Sequence, residues 1–289
     1  MPVNSSSPTD KPAVNALLKE LDRNQTYRQE VVVESLAQIG LPAVAGLIER
    51  LGPSTNLDVR QRAALILGRI GPDASDSMAA LIESVVDRDR DMRNGAIRAL
   101  KQIAPNWVMS DATQRAIPML TEKLGSRSAG VQNTAKLVLS AIGPPAVPDL
   151  IRALSHAEDD QRQALAAETL GRIGASAASA VSPLNQALSS DHMHVRRLAA
   201  EALGRMGSAS EPAVSNLLHM LADESLAVRG VAAKALAQIE SALDVAAPAV
   251  LPLLVHKSEA VRQDAVDALA AIGPSQLVAS FRHHRNASH

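Results

Sequence analysis

A chain of 289 residues can bury a large interior, but this one holds a single Trp, a single Tyr and a single Phe, so that interior must be aliphatic. There is no cysteine, which excludes disulfides, thiolate metal sites and a cysteine nucleophile. A formal net charge of −1 gives no bulk attraction to a polyanion, and the shortage of aromatics removes the usual stacking platforms for bases.

Residues 1–10, MPVNSSSPTD, are rich in Ser and Pro and are expected to be a disordered tail. They contain no apolar h-region, so no secretory signal is expected. No run of about 18 apolar residues follows, so a membrane span is not expected and the expected location is the cytoplasm. The first predicted helix lies near Ala13–Leu21, with Val14, Leu17, Leu18 and Leu21 on one face. Its partner carries Val32, Leu36 and Ile39. This first unit is polar at Tyr27, Arg28 and Gln29, where later units have Val-Arg, as a terminal capping unit would be.

The second unit shows the repeat clearly, as VRQRAALILGRIG over Val59–Gly71. With Ile70 as anchor, the equivalents are Ile39, Ile103, Ile142, Ile173, Met206, Ile239 and Ile272. Successive anchors are 31 or 33 residues apart, except that Ile142 follows Ile103 by 39. Three residues before each anchor stands leucine, as at Leu67, Leu170 and Leu203. Seven before it the residue is Ala in seven units, as at Ala63, and Val32 in the first. Eleven before it are Val59, Met92, Val131, Val195, Val228 and Val261. Offsets of three, seven and eleven fall on one helical face, so the element is a helix with a Val–Ala–Leu–Ile stripe. The alanine column lets neighbouring helices approach to about 8–10 Å between axes. Before each such helix comes another with the pattern V-x-x-L-[LI]-x-x-L, as in Val147, Leu150, Ile151 and Leu154. A hairpin of two such helices cannot bury its apolar face alone, but stacked hairpins bury it jointly.

Most repeated helices end in Gly, often with Pro beside it, as in Gly40 with Pro42, Gly71–Pro72, Gly143–Pro144 and Gly273–Pro274. Gly174 and Gly207 lack the Pro, and Glu240 breaks the rule. These glycines are expected to take a left-handed helix-ending position and the prolines to block continuation. Turns within hairpins are rich in Ser and Asp, such as Ser189–Ser190–Asp191, and supply N-caps. The main irregularity is the connector 104–112, where Ala104–Pro105 replaces Gly and Trp107 lies. Trp107 either plugs imperfect stacking there or anchors a partner. Residues 274–289 place Leu277 and Phe281 like a final half-unit, followed by a basic tail.

Paired helices reading V-R-x-x-A-A-x-A-L-G-x-I-G resemble HEAT repeats. The motif residues are Val59–Arg60, Ala63–Ala64, Leu67–Gly68 and Ile70–Gly71, and again Val195–Arg196, Ala199–Ala200, Leu203–Gly204 and Met206–Gly207. The short period is similar to the HEAT-like subclass named for the phycobilin lyases. The resemblance implies an all-α, right-handed α-α superhelical solenoid of about eight hairpins over residues 11–273. It also implies that the arginine column Arg60, Arg93, Arg196, Arg229 and Arg262 makes structural Arg–Asp pairs between units, drawing on acids such as Asp58, Asp91, Asp191 and Glu224. Gln29, Gln132 and Gln163 take that column's place elsewhere. Finally, it implies that the repeated helices line the concave surface.

On those helices the positions nine, five and one before the anchor point away from the buried stripe. They hold Arg69, Arg98, Gln102, Glu168, Arg172, Arg197, Glu201, Arg205 and Lys234. Glu168 with Arg172 and Glu201 with Arg205 are i, i+4 pairs, which are solvated helix pairs or part of a mixed-charge groove for a protein segment. His192 and His194 lack a carboxylate cluster, so no metal is expected. Some HEAT-like proteins are di-iron hydroxylases with His-Glu dipeptides, and none occurs here. No phosphate loop, G-x-S-x-G or H-E-x-x-H occurs either.

The expected function is therefore a non-catalytic scaffold that binds another protein, without cofactor, nucleic acid or membrane, and monomeric by default. A bilin lyase acting on a partner protein is the alternative that the subclass suggests. HEAT-like nucleic-acid binding is the second alternative, opposed by charge and aromatic content.

Overall fold

A computed structural model describes residues 11–23, 28–156, 159–239, 250–255 and 259–272. The described residues are helices and short connectors with no strand. They fall into two compact units, Met1–Ala135 and Lys136–His289, divided within one helix. The first holds α1 (Lys11–Asp22), α2 (Gln29–Ile39), α3 (Leu41–Arg50), α4 (Leu57–Ile70), α5 (Met78–Ser84), α6 (Arg90–Ile103), α7 (Asp111–Glu122) and the start of α8 (Ala129–Ile142). The second holds the rest of α8, then α9 (Val147–His156), α10 (Asp160–Ile173), α11 (Val181–Ala187), α12 (Met193–Met206), α13 (Val214–His219), α14 (Leu226–Gln238) and α15 (Glu259–Ile272). The expected tail 1–10 and the half-unit 274–289 lie outside the described residues.

In the first unit α2 packs on α4 and α4 on α6, while α1 packs on α3 and α5 on α7. In the second, α10, α12, α14 and α15 form one layer and α9 and α11 meet in the other. This is the stacked-hairpin arrangement that the sequence columns demand. Leu36, Leu67, Leu100, Leu139, Leu170 and Leu203 are fully buried, as are the alanines from Ala63 to Ala232 in the next column. Each buried leucine contributes roughly 1.5–3 kcal/mol of apolar burial. The anchor column is less uniform than the stripe implied. Ile103, Ile142, Met206 and Ile239 are buried, but Ile39, Ile70 and Ile173 are half-exposed. Each anchor ends its helix or directly follows it, so fewer neighbours surround it than surround the leucine one turn earlier.

The Leu-Gly step of the motif has a packing role that its sequence does not announce. A Cβ on Gly171 would lie 2.6 Å from Ala202 Cα, and one on Gly204 would lie 2.7 Å from Ala235 Cα. Small residues thus bring α10 against α12, and α12 against α14, at backbone contact. In contrast, a Cβ on Gly95 of α6 would meet nothing within 4 Å. Gly171→Ala is expected to cost about 1–3 kcal/mol through overpacking. Gly95→Ala should gain about 0.5–1 kcal/mol in helix propensity. Urea midpoints of the two variants should move in opposite directions, and a shared sign would contradict this packing.

Two local expectations need correction. The helix-ending glycines have positive φ, from 61 to 74°, but their ψ lies between −132 and −145°. That is the mirror image of extended backbone, not the left-handed helical cap, and only Gly occupies it without strain. The connectors after Gly71, Gly174 and Gly207 are also not simple turns. Each is a seven-residue 3-10 segment, Gly71–Ser77, Gly174–Ala180 and Gly207–Ala213, which shortens the helix that follows. Ala74 and Ala177 leave helical geometry within the first two of these segments.

Capping follows the Ser/Asp turns in part. Asn56, Asp89, Ser110 and Asp159 accept the amide N–H of Asp58, Met92, Thr113 and Gln161, respectively. Asp89 also accepts from Gln61 Nε2 of α4 at 3.0 Å, which ties α4 to the start of α6. The Met92 amide is the chief cause holding the Asp89 carboxyl below its usual range; the Gln61 and Asp91 donors and the Arg93 charge add to it, against burial. A depressed folded-state pKa contributes stability that is complete above the unfolded value and is lost as pH falls through the folded value. The stability gap between the wild type and Asp89→Asn should therefore be constant near neutrality and shrink on acidification below the ordinary carboxylate range. Urea titrations at a series of pH values measure it, and a gap that widens in acid would refute the cap.

Candidate interaction face

The arginine column is the first set of residues that the fold positions. Its members sit at the start of the repeated helices, one turn past the hairpin bend, and aim back at that bend. Arg93 donates to the carbonyls of Asp87 and Arg88 at 2.8 and 2.9 Å. Arg196 donates to Ser190 and Asp191, and Arg229 to Asp223 and Glu224. Gln132 does the same to Ser126, at 2.7 Å. The shared task is thus to close each unit's own turn. Pairing between units is added at Arg60, which binds Asp87, and at Arg196, which binds Asp223 at 2.8 and 3.2 Å and Glu224 at 3.0 Å. In these two cases the carboxylates, Asp87, Asp223 and Glu224, come from the next repeat's bend. The Arg196 and Asp223 side chains are 9% and 5% exposed, and the Asp223 hydrogen bond holds the guanidinium even more firmly charged than usual. Arg262 lies at the same register on α15.

The ridge of the repeated helices is the second set. Arg69, Arg98, Gln102, Arg172, Arg205 and Lys234 are exposed, whereas Glu168, Arg197 and Glu201 are half-buried. The structure rearranges their pairing. Glu168 takes Lys136 Nζ of α8 at 2.8 and 3.1 Å, while Arg172 stands 3.8 Å away. Glu201 lies between Arg205 at 2.6 Å and Arg197 at 3.5 Å. Arg69 reaches Glu34 on α2 at 3.0 Å. Ridge residues therefore link neighbouring helices as well as turns of one helix.

Shallow grooves run between these helices. One of about 450 Å³ lies between α4 and α6, lined by Asp58, Gln61, Leu65, Arg98 and Gln102. Another of about 380 Å³ lies between α10 and α12, lined by Gln161, Glu168, His194, Arg197 and Glu201. Leu65 and Leu137 are 45% and 55% exposed on the ridge, five residues before their anchors. Charge along the helices does not single them out; their register position does.

Trp107 is 5% exposed, in the short 3-10 turn Trp107–Met109, and its carbonyl accepts from Thr113 Oγ1 at 2.7 Å. Buried there, it plugs the connector and is not accessible as an anchor. His192 and His194 are both exposed. His192 Nε2 lies 2.9 Å from Asp160 Oδ2 of the preceding unit. Among the described residues no group of three or more His, Asp or Glu is placed to hold a metal ion.

No curated protein matches the chain. Among solved structures, the karyopherin Kap121p superposes with a TM-score of 0.63 at 14% identity, covering 98% of this chain and 34% of Kap121p. The chain thus spans about a third of that protein. The complex of CpcE and CpcF of phycocyanin lyase from Nostoc sp. PCC7120 matches at 24% identity and a TM-score of 0.48, covering 54% of this chain and 98% of that one. Human deoxyhypusine hydroxylase matches at 20% identity and a TM-score of 0.36, covering 91% and 96%. The family of HEAT repeats matches residues 12–101, 147–237 and 214–288. With those segments taking in most of the chain and stacked helical hairpins built on the same columns, this protein belongs to the HEAT repeat family.

Proposed function

We propose that this protein is a binding scaffold whose repeated helices present their ridge to a segment of a partner protein. The observation that carries the reading is the ridge itself. Arg69, Arg172 and Arg205 recur one residue before their anchors and the exposed Leu65 and Leu137 five before theirs, and each compact unit has a shallow groove between two of these helices, so a chain laid across the helices of either unit meets cationic, aliphatic and polar groups. Arginine and aliphatic contacts of this kind fit the recognition of polypeptide. The reading is also in keeping with Kap121p, a protein of the same fold that has been seen bound to the extreme C-terminus of the protein phosphatase Cdc14p.

The test is affinity capture with the purified chain, with cross-linking to locate the contact. The expected result is a protein partner cross-linked to the ridge helices and released by ridge substitutions. Cross-links confined to the α1, α3, α5 and α7 layer, or to α9 and α11, would overturn it.

A further inference from the structure

The ridge changes character in the second unit. From residue 136 to Gln238 its cations are Arg172, Arg197, Arg205 and Lys234, set against the carboxylates of Glu168 and Glu201, the first of which is already held by the half-buried Lys136 beside the ridge. Four positive groups against two negative ones leave a local excess of two positive charges, on a chain whose overall charge is −1.

We propose that this stretch, resting on the scaffold reading above, binds an extended acidic segment of the partner protein. The cations are not used up by the carboxylates between them. Glu168 is held by Lys136 at hydrogen-bond distance, which leaves Arg172 at 3.8 Å, and Glu201 is closer to Arg205 than to Arg197. Each guanidinium has five N–H donors, so several remain for a ligand. Lys234 is exposed and has no ion-pair partner among the described residues. Solvent-exposed ion pairs are weak, so exchanging them for a partner's carboxylates costs little.

The spacing also suits an extended chain. Packed helices stand about 8–10 Å apart, and three residues of extended chain span about 10 Å. A segment with an acid at every third residue would therefore meet Arg172, Arg205 and Lys234 on successive helices. No aromatic side chain stands among these ridge residues to stack a base, which favours polypeptide over nucleic acid.

Fluorescence polarisation with a labelled peptide of repeated Glu-Ala-Ser, on the full chain at low salt, tests this. Saturable binding is expected, and added salt should weaken it by screening. Arg172→Glu with Arg205→Glu should weaken it by about tenfold or more, and Arg172→Gln with Arg205→Gln by less. Arg152→Glu on α9, outside the ridge, should leave it unchanged. Circular dichroism melts show whether each variant stays folded, and the milder Gln pair keeps the test valid if the Glu pair does not. No binding, equal binding by a folded ridge variant, or tighter binding of a single-stranded DNA of similar length would overturn the proposal. A captured partner that stays bound to both ridge variants would remove the acidic-segment proposal and leave the scaffold standing. Peptide binding without any captured partner would do the reverse.

Discussion

Leu170→Ala lowers the unfolding free energy by about 2–5 kcal/mol. Leu170 is fully buried in α10, which packs on both α9 and α12. Truncation removes the apolar transfer term and leaves a cavity that a framework of backbone-close helices cannot collapse to fill. The Gly171–Ala202 contact next to it keeps α12 from moving inward. Leu65→Ala, at a 45% exposed ridge position, should change stability by no more than about 0.5 kcal/mol. Urea unfolding of the two variants checks the contrast, and hydrogen exchange should show protection lost first in α10 and α12. A loss of less than about 1 kcal/mol for Leu170→Ala would mean that the leucine column does not carry the stacking.

Arg196→Ala should be comparably damaging, at about 3–5 kcal/mol. Its removal leaves Asp223, 5% exposed, without its bidentate partner, and frees the Ser190 and Asp191 carbonyls at the bend. Arg196→Lys should recover only part of the loss, because a point charge cannot span a carboxylate and two carbonyls as a planar fork does. Asp223→Ala on top of Arg196→Ala should cost less than the two single changes added together, since the orphaned charge is then gone. A double-mutant cycle by urea unfolding measures that coupling. Additive effects would show that the turn-closing bonds, and not the ion pair, account for the loss.

The parts of this fold legible in the sequence were those fixed by period. The leucine, alanine and valine columns repeat often enough that a helical face follows from arithmetic, and those residues are buried. Where a feature depends on one residue or on contact between helices, periodicity says nothing. Trp107 stands in an irregular connector with no register, so only the folded chain shows that it faces inward. Glu168 reads as the partner of Arg172 because that pair is visible along one helix; Lys136, from the neighbouring helix, comes closer in space. The arginine column is visible in the sequence, but its first task, closing its own bend through carbonyls, leaves no mark in side-chain identity. The carboxylates reached by Arg60 and Arg196 did leave one: Asp87 and Asp223 occupy the same register, sixteen residues before their anchors. The V-x-x-L pattern likewise could not separate a long first helix from a 3-10 segment followed by a short one, because both bring the same apolar residues inward.

The glycines that end the repeated helices carry a consequence of handedness. Gly207, with φ 61° and ψ −135°, sits where the mirror image is polyproline-like backbone, comfortable for an ordinary residue of opposite chirality. Semisynthesis with D-alanine at that position would restrict the unfolded chain without opposing the native bend, worth about 0.4–1 kcal/mol, whereas L-alanine there would strain it. These bends are thus places where the chain's stereochemistry, and not its chemistry, decides which residue is admitted.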